Sequence, residues 1–173
     1  MIRMSPRALV IAGALVALGV AADQWTKQWA AARLPGSPMK VVDGLLSFEY
    51  VLNRNAAFGL GQSLPESMKV WILIGLTSVL TLVLIGAMLR STDLPSQIGY
   101  AATVCGALGN IIDRVQLGYV RDFILLYYQE HRWPNFNVAD MLVCIGVGVL
   151  VVLGGRQKKD QPASQPQSSA PKQ

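Results

Sequence analysis

Three aspartates stand where an acid is expensive. Asp113 in Gly-Ala-Leu-Gly-Asn-Ile-Ile-Asp-Arg (106–114), Asp122 in Tyr-Val-Arg-Asp-Phe (119–123) and Asp140 in Phe-Asn-Val-Ala-Asp (136–140) each lie at or near the end of an apolar segment. An ionisable group beside hydrocarbon marks a functional site by default. Two carboxyl groups that share a water can hydrolyse a peptide. The ionised one takes a proton from the water, and the protonated one polarises the scissile carbonyl. Two close carboxylates do not both ionise cheaply, so their pKa values split and both roles become available near neutrality. Such a pair titrates as a unit, and the low dielectric near lipid strengthens the coupling. Asp122 and Asp140 are the pair selected here. Asp140 falls in the first turn of the last apolar segment, and Asp122 in a connection that can fold back over the same surface. Asn110, Asp113 and Arg114 have i, i+3, i+4 spacing and share one helix face, from which they can position the pair or a substrate backbone.

Plainer roles stand beside these. Asn137 with Asp140 also reads as a helix cap with an acid in the first turn, and a cap and a catalytic role are compatible. Asp113-Arg114 reads as an interfacial ion pair, and Asp23 with Lys27, at i and i+4, as a local pair. Arg121 reads as solvated or bound to lipid phosphate. Nothing beside Asp122, between Val120 and Phe123, obliges an acid there. Other chemistries have little to build on. His131 is the only histidine, and it sits between Glu130 and Arg132, which leaves a Ser-His-Asp triad or a zinc site without parts. Cys105 and Cys144 lie inside apolar runs with no activating neighbour and read as small packing residues. A divalent cation among the three aspartates would meet two arginines and few oxygen ligands. No cofactor or metal is implied.

The elements that must position these residues are membrane helices. Of the 173 residues, 52% are hydrophobic and 14% charged, against about 25% charged in ordinary soluble chains. The apolar residues come in blocks, which makes this a mainly α membrane protein. The net charge of +5 is explained by basic residues flanking membrane segments. No basic run interleaved with aromatics suggests nucleic acid. Ala8–Ala22 is continuously apolar after Arg3 and Arg7. It would be long for a signal peptide, and continuation through Asp23 and Trp25 makes it a retained first span. Val70–Leu89, Gln97–Ile112 and Asn137–Leu153 supply three more, the third rich in Gly and Ala for close helix packing.

Residues 31–67 interrupt the helices. Pro35, Gly36 and Pro38 break the first, and Asp43-Gly44 between two apolar runs predicts a hairpin, with Leu46, Phe48 and Tyr50 alternating against Ser47 and Glu49. Residues 114–135 read as a polar and aromatic connection, and the Pro-, Ser- and Gln-rich tail as disordered and cytoplasmic. The expected organisation is one membrane domain over 1–157 and a tail over 158–173. With four spans, the end of helix 1, the start of helix 2, the end of helix 3 and the start of helix 4 share one side. Asp23, Asn53, Asp113, Asp122 and Asp140 therefore converge on one face. Arg3, Arg7, Arg90, Arg156, Lys158 and Lys159 place the opposite face in the cytoplasm. A carrier using the same carboxylates would need acids lining a path across the bilayer rather than gathered at one face. A non-catalytic protein with a degraded site would lack a member of the pair.

Five motifs in order resemble the lipoprotein signal peptidases, also called signal peptidase II, of bacterial inner membranes. They are Asp23-Gln-Trp-Thr-Lys, Asn53-Arg-Asn-Ala-Ala-Phe-Gly59, Gly109-Asn-x-x-Asp-Arg114, Val120-x-Asp-Phe123 and Phe136-Asn-x-Ala-Asp140. Each is weak alone, and together they cover all but the tail. The resemblance implies a four-helix membrane bundle with a small extracytoplasmic β element and a short surface helix forming a cradle over the site. It implies that Asp122 and Asp140 are the catalytic dyad of an aspartic endopeptidase, and that Asn53, Asn110, Asp113, Arg114, Asn137 and Asp23 support the dyad or the substrate. The implied substrates are prolipoproteins cut just before a diacylglyceryl-modified cysteine, with membrane lipids as surroundings and a monomer as the working unit. The one departure is Asn55, where the family pattern has Gly. If that position needs positive φ, Asn is the next most tolerant residue, so altered loop flexibility rather than lost activity is expected.

Overall fold

A computed structural model describes residues 2–55 and 65–159 of the chain. The first helix, α1 (Pro6–Arg33), starts where the Ser5 side chain accepts from Ala8 N at 3.2 Å, with Pro6 at the first helical position. It runs unbroken past Asp23 and Lys27, both fully buried. The hairpin forms as expected, with β1 (Met39–Val42) paired antiparallel to β2 (Leu46–Asn53) and Gly44 at φ 75° in the turn. Next come α2 (Glu66–Arg90) and α3 (Leu94–Leu117). Asp93 caps α3 by accepting from Ser96 N at 2.9 Å, and Gly118 ends it at φ 79°.

The connection after α3 departs from expectation. Residues 120–128 form a strand, β3 (Val120–Tyr128), which pairs antiparallel with β2 and with the short β4 (His131–Arg132). The sheet has the order β1-β2-β3-β4. The last helix, α4 (Val138–Lys159), enters the expected tail by two residues. Residues 160–173 and residues 56–59 of the second motif lie outside the described residues.

Packing follows from small residues in α3. A Cβ on Gly106 would overlap the Ala139 carbonyl oxygen of α4, and one on Gly99 would lie 3.2 Å from the Gly146 carbonyl oxygen. The two helices are thus in backbone contact, which only glycine permits. At one end of the molecule Met4, Ala12, Met88 and Ala101 pack together. At the other, Ala30, Leu34 and Phe123 are packed by Trp29 and Phe48. The Trp29, Phe48 and Phe123 rings meet edge to face at 5.6–6.3 Å and seat the sheet on the end of α1.

The outward surface is apolar. Val10, Leu18, Trp71, Leu82, Val83 and Val151 are each more than 60% exposed, while Asp23, Lys27, Asp113 and Asn137 are fully buried. Such an inverted distribution suits hydrocarbon as solvent. Among the described residues, two helical stretches, Pro6–Arg33 and Met68–Arg90, are long and apolar enough to cross a membrane, and Val138–Gly154 is a shorter apolar helix.

Candidate active site

Asp122 and Asp140 meet where β3 passes the start of α4. Asp122 is buried on β3. Its Oδ1 accepts from Asn137 Nδ2 at 2.7 Å and its Oδ2 from Asn53 Nδ2 at 2.8 Å. The second contact follows from sheet register. Asn53 pairs with Val120, so Asp122 is its diagonal neighbour on the same face. Asp140 is half-buried. Its Oδ1 accepts from Asn110 Nδ2 at 2.8 Å and its Oδ2 from Asn137 N at 3.1 Å. Each of the four carboxylate oxygens therefore receives one N–H, and each has a second lone pair with which to meet water or substrate.

Asn137 is the hinge of this arrangement. Its Oδ1 accepts from Asp140 N at 3.0 Å while Asp140 Oδ2 accepts from Asn137 N, which makes a reciprocal capping box at the start of α4. Its Nδ2 reaches Asp122 Oδ1 and also Asn110 Oδ1, the latter at 3.2 Å. The cap and the constellation are one structure. Burial, and then the charge of Asp140, push the Asp122 carboxyl up to about 6, against the opposing effect of the Asn53 and Asn137 amides.

Behind the pair lies a buried ionic layer. Lys27 Nζ is 2.9 Å from Asp23 Oδ2 and 3.7 Å from Asp113 Oδ2, and donates to Asn110 Oδ1 at 3.0 Å. Asp23 Oδ1 accepts from Ala139 N at 2.9 Å, so an α1 carboxylate caps α4. Gly109 leaves room for it, since a Cβ there would lie 2.5 Å from Asp23 Oδ2. Asp113 is gripped by Arg121, with Nη2 to Oδ1 at 2.6 Å and both Nε and the backbone N to Oδ2 at 3.0 and 2.9 Å. This pairing holds the Arg121 guanidinium above its usual range. Gln24 donates to Asp113 Oδ1 and the Gly109 carbonyl and accepts from Arg121. Among the described residues no buried side-chain nitrogen or oxygen lacks a hydrogen-bond partner.

Two local expectations need correction. Asp113 pairs with Arg121 and Lys27 rather than with Arg114, because consecutive helical residues do not face each other. Arg114 instead donates to the carbonyls of Asn110, at 3.3 Å, and Asn55, at 3.5 Å. Arg121 is 7% exposed and ion-paired inside the protein rather than solvated. Asn55 does not have positive φ, and Gln129 is the one non-glycine residue among those described that does. Asn55 N donates to Asn53 Oδ1 at 3.0 Å, which orients the amide that holds Asp122.

The structure thus brings Asn53, Asn110, Asn137, Asp122 and Asp140 into one network, with Asp23 and Asp113 behind it and Arg114 at its edge. Sequence reasoning missed Gln24, Arg121 and the reach of Lys27 beyond Asp23. The available signal was a cluster of polar residues, Asp23, Gln24 and Lys27, in a helix that continues an apolar run. A cavity of about 500 Å³ beside Lys40, Ser47, Glu49, Tyr127 and Arg132 lies elsewhere. It opens on the sheet face carrying Leu125, and strand alternation puts Asp122 on the other.

Known proteins share this arrangement of chain and fold. The family model described as signal peptidase (SPase) II matches residues 15–154. The lipoprotein signal peptidase of Oleidesulfovibrio alaskensis is 37% identical over 150 residues, covering 83% of this chain and 92% of its own. That of Xanthomonas campestris is 33% identical over 163 residues, covering 91% and 96%. A bacterial membrane enzyme solved by the in meso method at 2.3 Å superposes with a TM-score of 0.79 at 25% identity, covering 91% of this chain and 94% of that one. A second, solved the same way at 1.9 Å, gives 0.73 at 27% identity, covering 87% and 94%. The family match spans both carboxylates and every residue that holds them, and the full-length relatives carry it from α1 to α4: the chain belongs to the signal peptidase II family of membrane peptidases.

Proposed function

We propose that this chain is an aspartic endopeptidase that removes signal peptides from prolipoproteins, cutting just before a diacylglyceryl-modified cysteine. Asp122 and Asp140 are its dyad. The observation that carries the reading is that one residue, Asn137, binds both carboxylates, while burial and the charge of Asp140 keep the Asp122 proton on up to about pH 6. Asp140, held by a helix N-terminus and the Asn110 amide, is the base. It takes a proton from water as the hydroxide oxygen adds to the scissile carbonyl, and Asp122 donates its proton to the carbonyl oxygen. The tetrahedral intermediate collapses as the C–N bond breaks. Its hydroxyl proton returns to Asp122, and the proton on Asp140 passes to the leaving amine of the cysteine.

Family membership supports the prolipoprotein substrate. The apolar outer surface supports acyl chains that stay in lipid while the peptide crosses the dyad. In this reading α1, α2, α3 and α4, of 28, 25, 24 and 22 residues, all span the bilayer, since about 20 residues suffice. Residues 1–157 form one domain, with both termini cytoplasmic beside Arg3, Arg7 and Arg90 and the sheet outside. One chain holds both aspartates, so a monomer is sufficient. The test is a diacylglyceryl-modified prolipoprotein and its unmodified twin, offered to purified protein and followed by mass. Cleavage immediately before the lipidated cysteine, and none of the twin, is expected. Equal cleavage of both, or a cut elsewhere, would sink the substrate assignment.

A further inference from the structure

In the polar layer behind the dyad, Lys27 touches an amide that holds the pair. Lys27 is fully buried on α1, and its Nζ donates to Asn110 Oδ1 at 3.0 Å. The same oxygen accepts from Asn137 Nδ2 at 3.2 Å. An asparagine amide can be placed either way round, and only its surroundings decide which end faces which group. Here a flip would set the Asn110 NH2 against an ammonium and against another NH2, which are both donors. With Oδ1 so fixed, Nδ2 has one direction to point, and it donates to Asp140 Oδ1 at 2.8 Å.

We propose that Lys27 is a positioning residue for the dyad: by binding Asn110 Oδ1 it fixes and polarises the Asn110 amide, so that Nδ2 holds Asp140 in place and in its charged form. The proposal rests on the dyad reading above. Polarisation works through the amide, since charge drawn to Oδ1 makes the N–H groups better donors. Asp122 on β3 and Arg114 on α3 are further charged groups near Asp140. Asp122 repels the Asp140 carboxylate and Arg114 attracts it, while the Lys27 charge acts from α1 on Asp122 as well. The counterions of Lys27 are Asp23 at 2.9 Å and Asp113 at 3.7 Å. Asp113 is also matched by Arg121.

The bland alternative is that Lys27 exists only to neutralise Asp23. Two variants separate the roles. Lys27→Met removes the ammonium and leaves Asp23 buried without it. Asp23→Asn/Lys27→Met removes both charges, keeps an acceptor for Ala139 N, and still lacks the Asn110 anchor. Thermal unfolding reports the fold, and kcat and KM are measured from about pH 4 to 9 on the lipidated substrate. The expected result is a folded double variant whose kcat is at least about tenfold down, with KM little changed and the acid limb of kcat moved to higher pH by about a unit. A double variant that regains wild-type kcat and acid limb would overturn the proposal. Failure of both variants to fold would overturn it too, by assigning Lys27 to the bundle instead of the dyad. Asp122→Asn and Asp140→Asn are run alongside. If they retain turnover, the dyad reading falls; if they lose it and the Lys27 variants do not, only the present inference falls.

Discussion

Replacing Gly106 by alanine tests whether the backbone contact between α3 and α4 sets the geometry of the site. The added Cβ would overlap the Ala139 carbonyl oxygen and lie 2.7 Å from Val143 Cγ2 and 3.0 Å from Val143 N. Two of these atoms are α4 backbone, so a rotamer change does not relieve the clash. The first turns of α4 must retreat by about 1 Å, at a cost of roughly 1–3 kcal/mol. Asn137 and Asp140 ride on that end. Asn110 Nδ2 to Asp140 Oδ1, now 2.8 Å, and Asn137 Nδ2 to Asn110 Oδ1, now 3.2 Å, would open to about 3.8 and 4.2 Å, beyond hydrogen bonding. A displacement of that size at a catalytic group costs about 100-fold in rate. The assay is the initial rate of lipidated substrate cleavage, with thermal unfolding to show that the variant is folded. Gly148, also on α4, has open space where its Cβ would be. Gly148→Ala should therefore stay within about twofold of wild type. A folded Gly106→Ala protein within about threefold of wild type would refute the geometric reasoning.

Further consequences are as specific. Asn53→Leu removes a donor that favours the ionised form of Asp122. The alkaline limb of kcat, expected near pH 6 from loss of the Asp122 proton, should move to higher pH even as the rate falls; a downward move would contradict the assignment of Asp122 as the acid. Asp113→Asn leaves Arg121, 7% exposed, without its carboxylate. Breaking a buried pair in this way costs about 3 kcal/mol, or roughly 6–12 °C in the unfolding midpoint for a chain of this size. A midpoint unchanged in calorimetry would show that the pair carries no stability.

The sequence made the helices and the convergence of the acids legible, because uninterrupted apolar runs need no partner to be recognised. Asp23, Asp113 and Asp140 were expected on one face, and Asp23 is bound to α4 through Ala139 while Lys27 lies between Asp23 and Asp113. The Asp43-Gly44 turn announced its hairpin for the same local reason. The β3 strand gave no such signal. Val120–Phe123 and Leu125 are buried, so both faces are apolar or paired and the two-residue rhythm that marks a half-exposed strand is absent. Its partner β2 lies about 70 residues away in sequence, as the Asn53–Asp122 contact shows. Arg121 misled for a related reason: beside a connection it looks solvated, and only the fold brings it to Asp113. The Asn137 cap was legible as a cap; that it also reaches Asp122 depends on how β3 lies over α4.

In the proposed mechanism Asp122 and Asp140 are the two groups that exchange protons with water and substrate. The most direct measurement is turnover of a diacylglyceryl-modified prolipoprotein by Asp122→Asn and Asp140→Asn separately, each shown to be folded by its thermal transition. Asparagine keeps the size and one acceptor at each position while removing the acid or the base. Each variant should lose cleavage by at least about 1000-fold, with substrate binding retained. Turnover within about tenfold of wild type in either folded variant would contradict this mechanism.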